Sequence, residues 1–336
     1  MTALLLLLSC GRSLAPEVQA APDQAAAEAQ GYDARLSTLD YALPVQVRAF
    51  SSQGQDLEMA YVYLPPQEGQ AVVTLLHGKN FNADYWAPTA AHLQAQGYGV
   101  LMPDQVGFGK SSKPVDYQWS FAAMASQTRD LQLSLGIEQS IVVGHSMGGM
   151  LATRFALLYP EQTTQLLLVN PIGLENYLEH AGYKDVSFFL DNERKKTPES
   201  LRAYQQKNYY DGQWTPEYEA LIDIHIGWMK GPDAEQIAQV NARTYDMIFT
   251  QPVVTELEAI QVPTTLILGT RDRTGPGRGW QHDGERYELG RYDLLGEQVV
   301  ARIPQATLIE LEGLGHLPQV EDFERYSQAL DQALAQ

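Results

Sequence analysis

The chain has 336 residues, 44% of them apolar and 10% aromatic, which is typical of a folded globular protein and excludes an intrinsically disordered one. Its formal net charge is −18, from 41 acidic and 23 basic side chains, and such a field repels nucleic acid and anionic membrane surfaces. We therefore expect no nucleic-acid partner. The single cysteine excludes an intramolecular disulfide and any cysteine-rich metal site.

The N-terminal segment has features of an export signal. A leucine run in MTALLLLLSC ends at Cys10, and it is shorter than the roughly 20 apolar residues that span a bilayer. The segment resembles a bacterial lipoprotein signal, which is cut before a cysteine that is then lipidated. This implies an exported protein, periplasmic or attached to a membrane through Cys10. An ordinary cleaved signal peptide and a non-functional apolar N-terminus are the alternatives. We predict a signal segment at 1–10 and a tether at 11–42.

From Val45 onward the hydrophobic pattern becomes regular. Apolar and polar residues alternate in VQVRAF and in LEMAYVYL, and SSQGQD connects these two segments. This pattern predicts an antiparallel hairpin. Short apolar runs predict buried strands at AVVTLL, GVLMP, SIVVG, QLLLVN, TTLILG and ATLIEL, with helical spacing between most of them. This alternation predicts an α/β fold, a mostly parallel central sheet flanked by helices.

The interval 172–258 interrupts the alternation. It has helical spacing, many aromatic residues and no clear buried strand. We predict a helical lid inserted between two parts of one core domain, residues 43–171 and residues 259–336.

A glycine cluster surrounds Ser146, and its spacing distinguishes a dinucleotide-binding loop from a turn that carries a nucleophile. A dinucleotide-binding G-x-G-x-x-G loop is excluded, because Ser146 stands where its middle glycine belongs. The cluster does match G-x-S-x-G, as Gly144-His145-Ser146-Met147-Gly148, and lies between a predicted strand and a predicted helix. That context predicts a sharp turn that raises the Ser146 hydroxyl above the sheet as a nucleophile. A purely structural turn is the alternative.

Serine needs a base, and the base needs an orienting carboxylate. In this kind of sheet the expected chain order is Ser, then Asp or Glu, then His. Asp272 follows the predicted strand TTLILG, and His316 follows ATLIEL, so both lie at the carboxyl edge of the sheet. The order and positions predict a Ser146-Asp272-His316 catalytic triad, with the Met147 N–H as one oxyanion donor.

The motifs LLHGKN, PDQVGFGKSSKP, VGHSMGG, GTRD and GLGHLPQVE together resemble the α/β-hydrolase fold family, in its esterase- and lipase-like serine-hydrolase branch. The resemblance covers roughly residues 45–335. It implies that Lys79, through its backbone N–H, or Asn80 supplies the second oxyanion donor. The Ser146 nucleophile argues against haloalkane dehalogenases and epoxide hydrolases, which use Asp at this position.

The function expected from these features is hydrolysis of a small, partly apolar carboxylic ester. A carbon–carbon bond hydrolase, a lactonase and a non-catalytic ligand-binding protein of the same fold are the alternatives. For substrate binding we select Phe81, Trp86, Trp228 and Arg278.

The segment 273–300 is rich in glycine and arginine, and Gly275, Gly277 and Gly279 predict a mobile loop beside the site. Arg278, Arg286 or Arg291 is a candidate to pair with an anionic substrate group, against the alternative of a decorated surface loop.

The histidines outside the predicted triad show no metal-ligand spacing, so we expect no metal and no cofactor. His145 is expected to be a packing residue and His77 to stabilise the oxyanion loop.

Overall fold

A computed structural model of the chain describes residues 31–336. The predicted signal segment 1–10, with Cys10, and residues 11–30 of the predicted tether lie outside the described residues. The described strands are β1 (Gln46–Ser52), β2 (Gln55–Leu64), β3 (Val72–Leu76), β4 (Gly99–Pro103), β5 (Ser140–His145), β6 (Thr163–Val169), β7 (Thr264–Gly269) and β8 (Ala306–Leu311).

These strands form an eight-stranded sheet in the order β1-β2-β4-β3-β5-β6-β7-β8. β1 and β2 form the predicted antiparallel hairpin, whose turn residues Gln53 and Gly54 have φ angles of 51° and 73°. β2 pairs antiparallel with β4, and all remaining neighbours are parallel. The mostly parallel α/β sheet predicted from the sequence is therefore confirmed.

The described α-helices are α1 (Ala87–Ala95), α2 (Phe121–Ser134), α3 (Met147–Leu158), α4 (Tyr177–His180), α5 (Val186–Lys195), α6 (Pro198–Asn208), α7 (Pro216–Lys230), α8 (Ala234–Thr250), α9 (Tyr292–Val300), α10 (Pro318–Glu321) and α11 (Phe323–Leu334). Short 3₁₀ segments include Ala83–Trp86, Val254–Ala259 and Arg278–Trp280. Across residues 31–336, every helix is too short or too polar to cross a membrane.

Side chains of successive strand residues enter two separate cores, one on each face of the sheet. On β5, Val142 packs with α2, α3 and α9, whereas Val143 packs with α1 and α11 on the opposite face. This alternation is the period of two expected for a strand covered on both sides. The parallel pairing of β4, β3, β5, β6, β7 and β8 places the carboxyl ends of these strands at one edge of the sheet.

Five helices, α4 to α8, occupy the interval for which the sequence predicts a lid. Thr197 and Thr215 cap α6 and α7, each followed by a proline at the first helical position. α5 packs along α8, and together they cover the carboxyl edge of the sheet.

Residues 32–42, which the sequence analysis places in a tether, pack onto the folded body. We call this segment the N-terminal strap. The Ala34 N–H donates to Asp233 Oδ2 at 2.7 Å, and Leu36 is fully buried in a cluster with Trp228. The tether prediction is therefore wrong for 32–42, because a few apolar residues find partners that lie far away in sequence.

Candidate active site

Ser146 lies at the turn between β5 and α3. Its φ of 56° and ψ of −123° are strained values for a residue with a side chain. Glycines make the turn possible, since a Cβ on Gly148 would meet the carbonyl oxygen of Leu76 and one on Gly144 would meet that of Gly148. The turn presents the Ser146 hydroxyl at the carboxyl edge of the sheet.

His316 connects Ser146 to Asp272. Its Nε2 lies 3.0 Å from Ser146 Oγ, and its Nδ1 lies 2.7 Å from Asp272 Oδ2. Both His316 and Asp272 are fully buried, and Ser146 is 7% exposed. With Nδ1–H donating to the carboxylate, Nε2 is left to accept the Ser146 hydroxyl proton. The structure thus brings together all three residues of the predicted triad.

Asp272 is held as a buried carboxylate. It accepts hydrogen bonds from Asn170 Nδ2 at 2.9 Å and from the Thr274 N–H at 2.7 Å, in addition to His316. Burial raises the pKa of Asp272, but the His316 imidazole and the hydrogen bonds from His316 and Thr274 outweigh it and hold the pKa below its ordinary value. Asp272 is therefore equipped to stabilise a positive charge on His316.

The loop after β3 carries the predicted oxyanion donors. Within residues 31–336, the backbone N–H groups of Lys79 and Met147 donate to no protein acceptor. His77 braces this loop as predicted: its Nδ1 donates to Gly78 O at 2.8 Å, and its Nε2 accepts the Gln105 N–H at 3.1 Å. One of these donors therefore belongs to the residue after the nucleophile, and the other to a residue that lines the same cavity as Ser146.

A cavity of about 250 Å³ opens above Ser146, between the core and the lid. Lys79, Asn80 and Phe81 line its core side. Its lid side is mainly aromatic and aliphatic, with Phe189, Tyr204, Leu201, Tyr209, Tyr245 and Ile248. The site is a concave, partly apolar pocket beside the nucleophile, of a size that suits a small molecule.

The family model for the alpha/beta hydrolase fold matches residues 71–323 of this chain. The chain belongs to the α/β-hydrolase fold family. The sequence-based recognition of this family and its fold is confirmed, and membership supports a hydrolase as the class of enzyme.

Among solved structures, a probable hydrolytic enzyme from Pseudomonas aeruginosa PAO1 superposes on this α/β-hydrolase with a TM-score of 0.88 and 45% identity, covering 91% of this chain and 99% of that one. Lipase 1 of Psychrobacter immobilis is 25% identical over 256 residues, which are 74% of this chain and 71% of the lipase. An uncharacterized Mycobacterium tuberculosis protein is 42% identical over 103 residues, so this chain matches only 29% of its length.

Three residues selected for substrate binding lie elsewhere in this α/β-hydrolase. Trp86 is fully buried in the core beneath β3 and β4, because the 3₁₀ turn Ala83–Trp86 directs it away from the cavity. Trp228 packs against the N-terminal strap, and its Nε1 donates to Asp33 O. Arg278 donates to the Leu289 carbonyl. Only Phe81 of the four selected residues lines the cavity.

Segment 273–300 is built into the fold rather than being a free loop. Its first part contributes Thr274, Pro276 and Trp280 to the cavity wall. Its last part forms α9, which packs on β7 and β8, and Tyr292 Oη donates to Pro171 O at 2.8 Å. The predicted position of the glycine-rich part beside the site is therefore confirmed, and its mobility stays a prediction.

The other two arginines of this segment also stay outside the cavity wall. Arg291 pairs with Glu288 and Asp293 on the surface, and Arg286 is not among the cavity residues.

Several residues that hold Asp272 and His316 in place were not predicted from the sequence. Asn170 follows β6 and bridges β7 to Asp272, since its Oδ1 also accepts the Gly269 N–H at 2.9 Å. Glu321 accepts the Gly315 N–H at 2.8 Å and pairs with Arg271, which holds the loop that carries His316. A polar residue directly after a parallel strand was the available signal for Asn170.

His145 is more than a packing residue. Its Nε2 donates to the His316 carbonyl at 2.8 Å, and its Nδ1 accepts from Tyr85 Oη at 3.0 Å. Tyr85 Oη in turn accepts the Gly78 N–H at 3.3 Å. Burial lowers the pKa of His145 to about 3, so it acts as a neutral link between the His316 loop and the oxyanion loop.

No group of three or more His, Cys, Asp or Glu side chains within residues 31–336 is arranged to hold a metal ion.

Proposed function

We propose that this α/β-hydrolase is a serine hydrolase that cleaves a carboxylic ester through an acyl-enzyme. The observation that carries the proposal is the hydrogen-bonded series Ser146, His316 and Asp272, which begins at the wall of a cavity. The similarity to Lipase 1 of Psychrobacter immobilis, over 74% of this chain, also supports ester chemistry.

The first half of the reaction forms the acyl-enzyme. Ser146 Oγ attacks the acyl carbon while its proton passes to His316 Nε2, and Asp272 stabilises the resulting imidazolium. Collapse of the tetrahedral intermediate breaks the bond to the alcohol oxygen, and His316 returns the proton to the departing alcohol. In the second half, water attacks the acyl carbon while His316 again accepts a proton. The carboxylic acid leaves and the Ser146 hydroxyl is restored.

The negative charge of both tetrahedral intermediates requires donors that are in place before the reaction. The free N–H groups of Met147 and Lys79 supply them in this proposal, with Asn80 at the same cavity wall. The loss of one such donor typically raises the barrier by about 2.7–4 kcal/mol.

Turnover of a p-nitrophenyl ester series of increasing acyl length tests this function. We expect saturable hydrolysis that is abolished in Ser146→Ala and strongly reduced in His316→Ala, while the surface variant Asn176→Ala retains it. Hydrolysis that persists in Ser146→Ala would contradict the acyl-enzyme. Binding without turnover would favour a non-catalytic protein, and turnover of a lactone or of a vinylogous diketone alone would favour the lactonase or the carbon–carbon hydrolase.

We also propose that the protein is exported and attached to a membrane through a lipidated Cys10, which the sequence MTALLLLLSC supports. Expression in a bacterial host with radiolabelled palmitate tests this. Label is expected on the wild type and not on Cys10→Ala, and a label-free wild type in the periplasm would instead indicate ordinary signal cleavage.

A further inference from the structure

The cavity above Ser146 changes character along α5. Phe189, Asn192 and Glu193 line it from one face of α5, at the i, i+3 and i+4 spacing, and Lys196, which directly follows the last residue of α5, lines it as well. The six residues of helix rise from Phe189 to Lys195 span about 9 Å, and Lys196 follows them. One side of the cavity therefore runs from an aromatic end at Phe189 to an ionic end at Lys196.

The aromatic end is closed by ring contacts. Phe189 lies 5.1 Å from Tyr245, 5.6 Å from Phe249 and 6.0 Å from Trp280 between ring centroids. This end suits the apolar part of a substrate.

The ionic end carries an excess of positive charge. Glu193 Oε1 accepts from Lys196 Nζ at 2.7 Å, and its Oε2 accepts from Asn241 Nδ2 at 3.4 Å, so both of its oxygens are engaged. Lys79 adds a second ammonium. His225, 4.0 Å from Glu193, contributes no charge, because burial lowers its pKa to about 3. Below the pKa of Lys79, which burial lowers to about 7, two ammonium groups thus line the cavity with one carboxylate.

Donors remain available on the two lysines. Lys79 Nζ donates to Asn241 O at 2.9 Å and to Thr244 Oγ1 at 3.2 Å. Within residues 31–336, these bonds use two of the three N–H groups of Lys79, and the Glu193 bond uses one of the three of Lys196. A negatively charged acceptor therefore matches the unused hydrogen-bonding capacity at this end.

We infer that the substrate is an anionic ester, in which a short apolar segment separates the scissile ester from a carboxylate that Lys196 and Lys79 bind. The inference rests on the proposed esterase function and assigns the substrate class of that same site. It also replaces Arg278, Arg286 and Arg291, which lie outside the cavity wall, as the partners of an anionic group.

Matched esters test the inference. The first pair is p-nitrophenyl hydrogen adipate and p-nitrophenyl hexanoate, which differ in having a carboxylate or a methyl at the far end of the acyl chain. The second pair, 6-acetoxyhexanoate and hexyl acetate, places the carboxylate on the alcohol side. The ratio of kcat/KM for the anionic over the neutral ester is measured below pH 7, where the pKa of about 7 keeps Lys79 largely charged.

Three variants are expected to change the ratio in different ways. Lys196→Met should lower the ratio at least about tenfold, which corresponds to about 1.4 kcal/mol. Glu193→Gln should raise the ratio, because it removes the opposing negative charge. Lys195→Met makes the same charge change at an exposed neighbouring position outside the cavity wall and should leave the ratio unchanged.

The results separate this inference from the proposed function. A wild type that hydrolyses neutral esters through Ser146 but prefers them over both anionic esters would overturn the anionic substrate class alone. Equal loss of the ratio in Lys195→Met and Lys196→Met would also overturn it, since that would be a general charge effect. Absence of turnover with all four esters would overturn the esterase function and this inference with it.

Discussion

Substitution of Asn170 tests how far the triad depends on residues around it. Asn170 is fully buried, donates to Asp272 at 2.9 Å and accepts the Gly269 N–H at 2.9 Å. Asn170→Ala removes one hydrogen bond to a charged group, worth about 1.5–3 kcal/mol, and leaves the Gly269 N–H unsatisfied. It also places alanine at a φ of 37°, a region that asparagine tolerates better.

If Asn170 positions Asp272, the lost bond weakens stabilisation of the His316 imidazolium in the transition state. At about 1.4 kcal/mol per factor of ten, kcat falls about 10- to 100-fold with KM nearly constant. The assay is p-nitrophenyl ester hydrolysis, with urea unfolding to show that the variant is folded. Asn176→Ala, which removes an exposed bond to Glu179, is the matched control. A folded Asn170→Ala protein with kcat within twofold of the wild type would refute the reasoning.

Further predictions concern three other residues. Tyr85→Phe removes the hydroxyl between the Gly78 N–H and His145, so kcat/KM should fall about 2- to 10-fold, and unchanged kinetics would show that this link is dispensable. Leu36→Ala leaves a cavity under the N-terminal strap and should lower the free energy of urea unfolding by about 2–5 kcal/mol, whereas a loss below about 0.5 kcal/mol would mean the strap contributes little. Burial lowers the pKa of Lys79 from 10.5 to about 7, so the unfolded chain binds more protons than the folded one between these values. The wild type should then gain stability over Lys79→Met as pH rises through this window, by at most about 1.4 kcal/mol per pH unit, and parallel pH curves would contradict the shift.

The sheet and the three triad positions could be predicted because their signals are local. A short apolar run followed by a small or polar residue marks the carboxyl end of a buried strand, and Ser146, Asp272 and His316 each follow such a run. The parallel arrangement then brings these ends to one edge without further information.

The wrong assignments came from contacts that join distant parts of the chain. Leu36 is buried in a cluster with Trp228 of α7 and Ile237 of α8, and no local pattern near Leu36 shows this. Trp86 follows Phe81 by only five residues, yet it ends the 3₁₀ turn Ala83–Trp86 and packs in the core with residues of β3, β4 and α1, whereas Phe81 lines the cavity. Lys79 reaches α8 across 162 residues of sequence to bond Asn241, so the ionic end of the cavity could not be predicted.

The central claim is that Ser146 is the nucleophile, and covalent labelling tests it most directly. Intact protein is treated with a fluorophosphonate, its mass is measured, and the modified peptide is sequenced. We predict a single phosphonate adduct on Ser146, no adduct on Ser146→Ala, and much slower labelling of His316→Ala, because Ser146 Oγ loses the base 3.0 Å away. An adduct on another residue, or equal labelling of Ser146→Ala, would contradict the account.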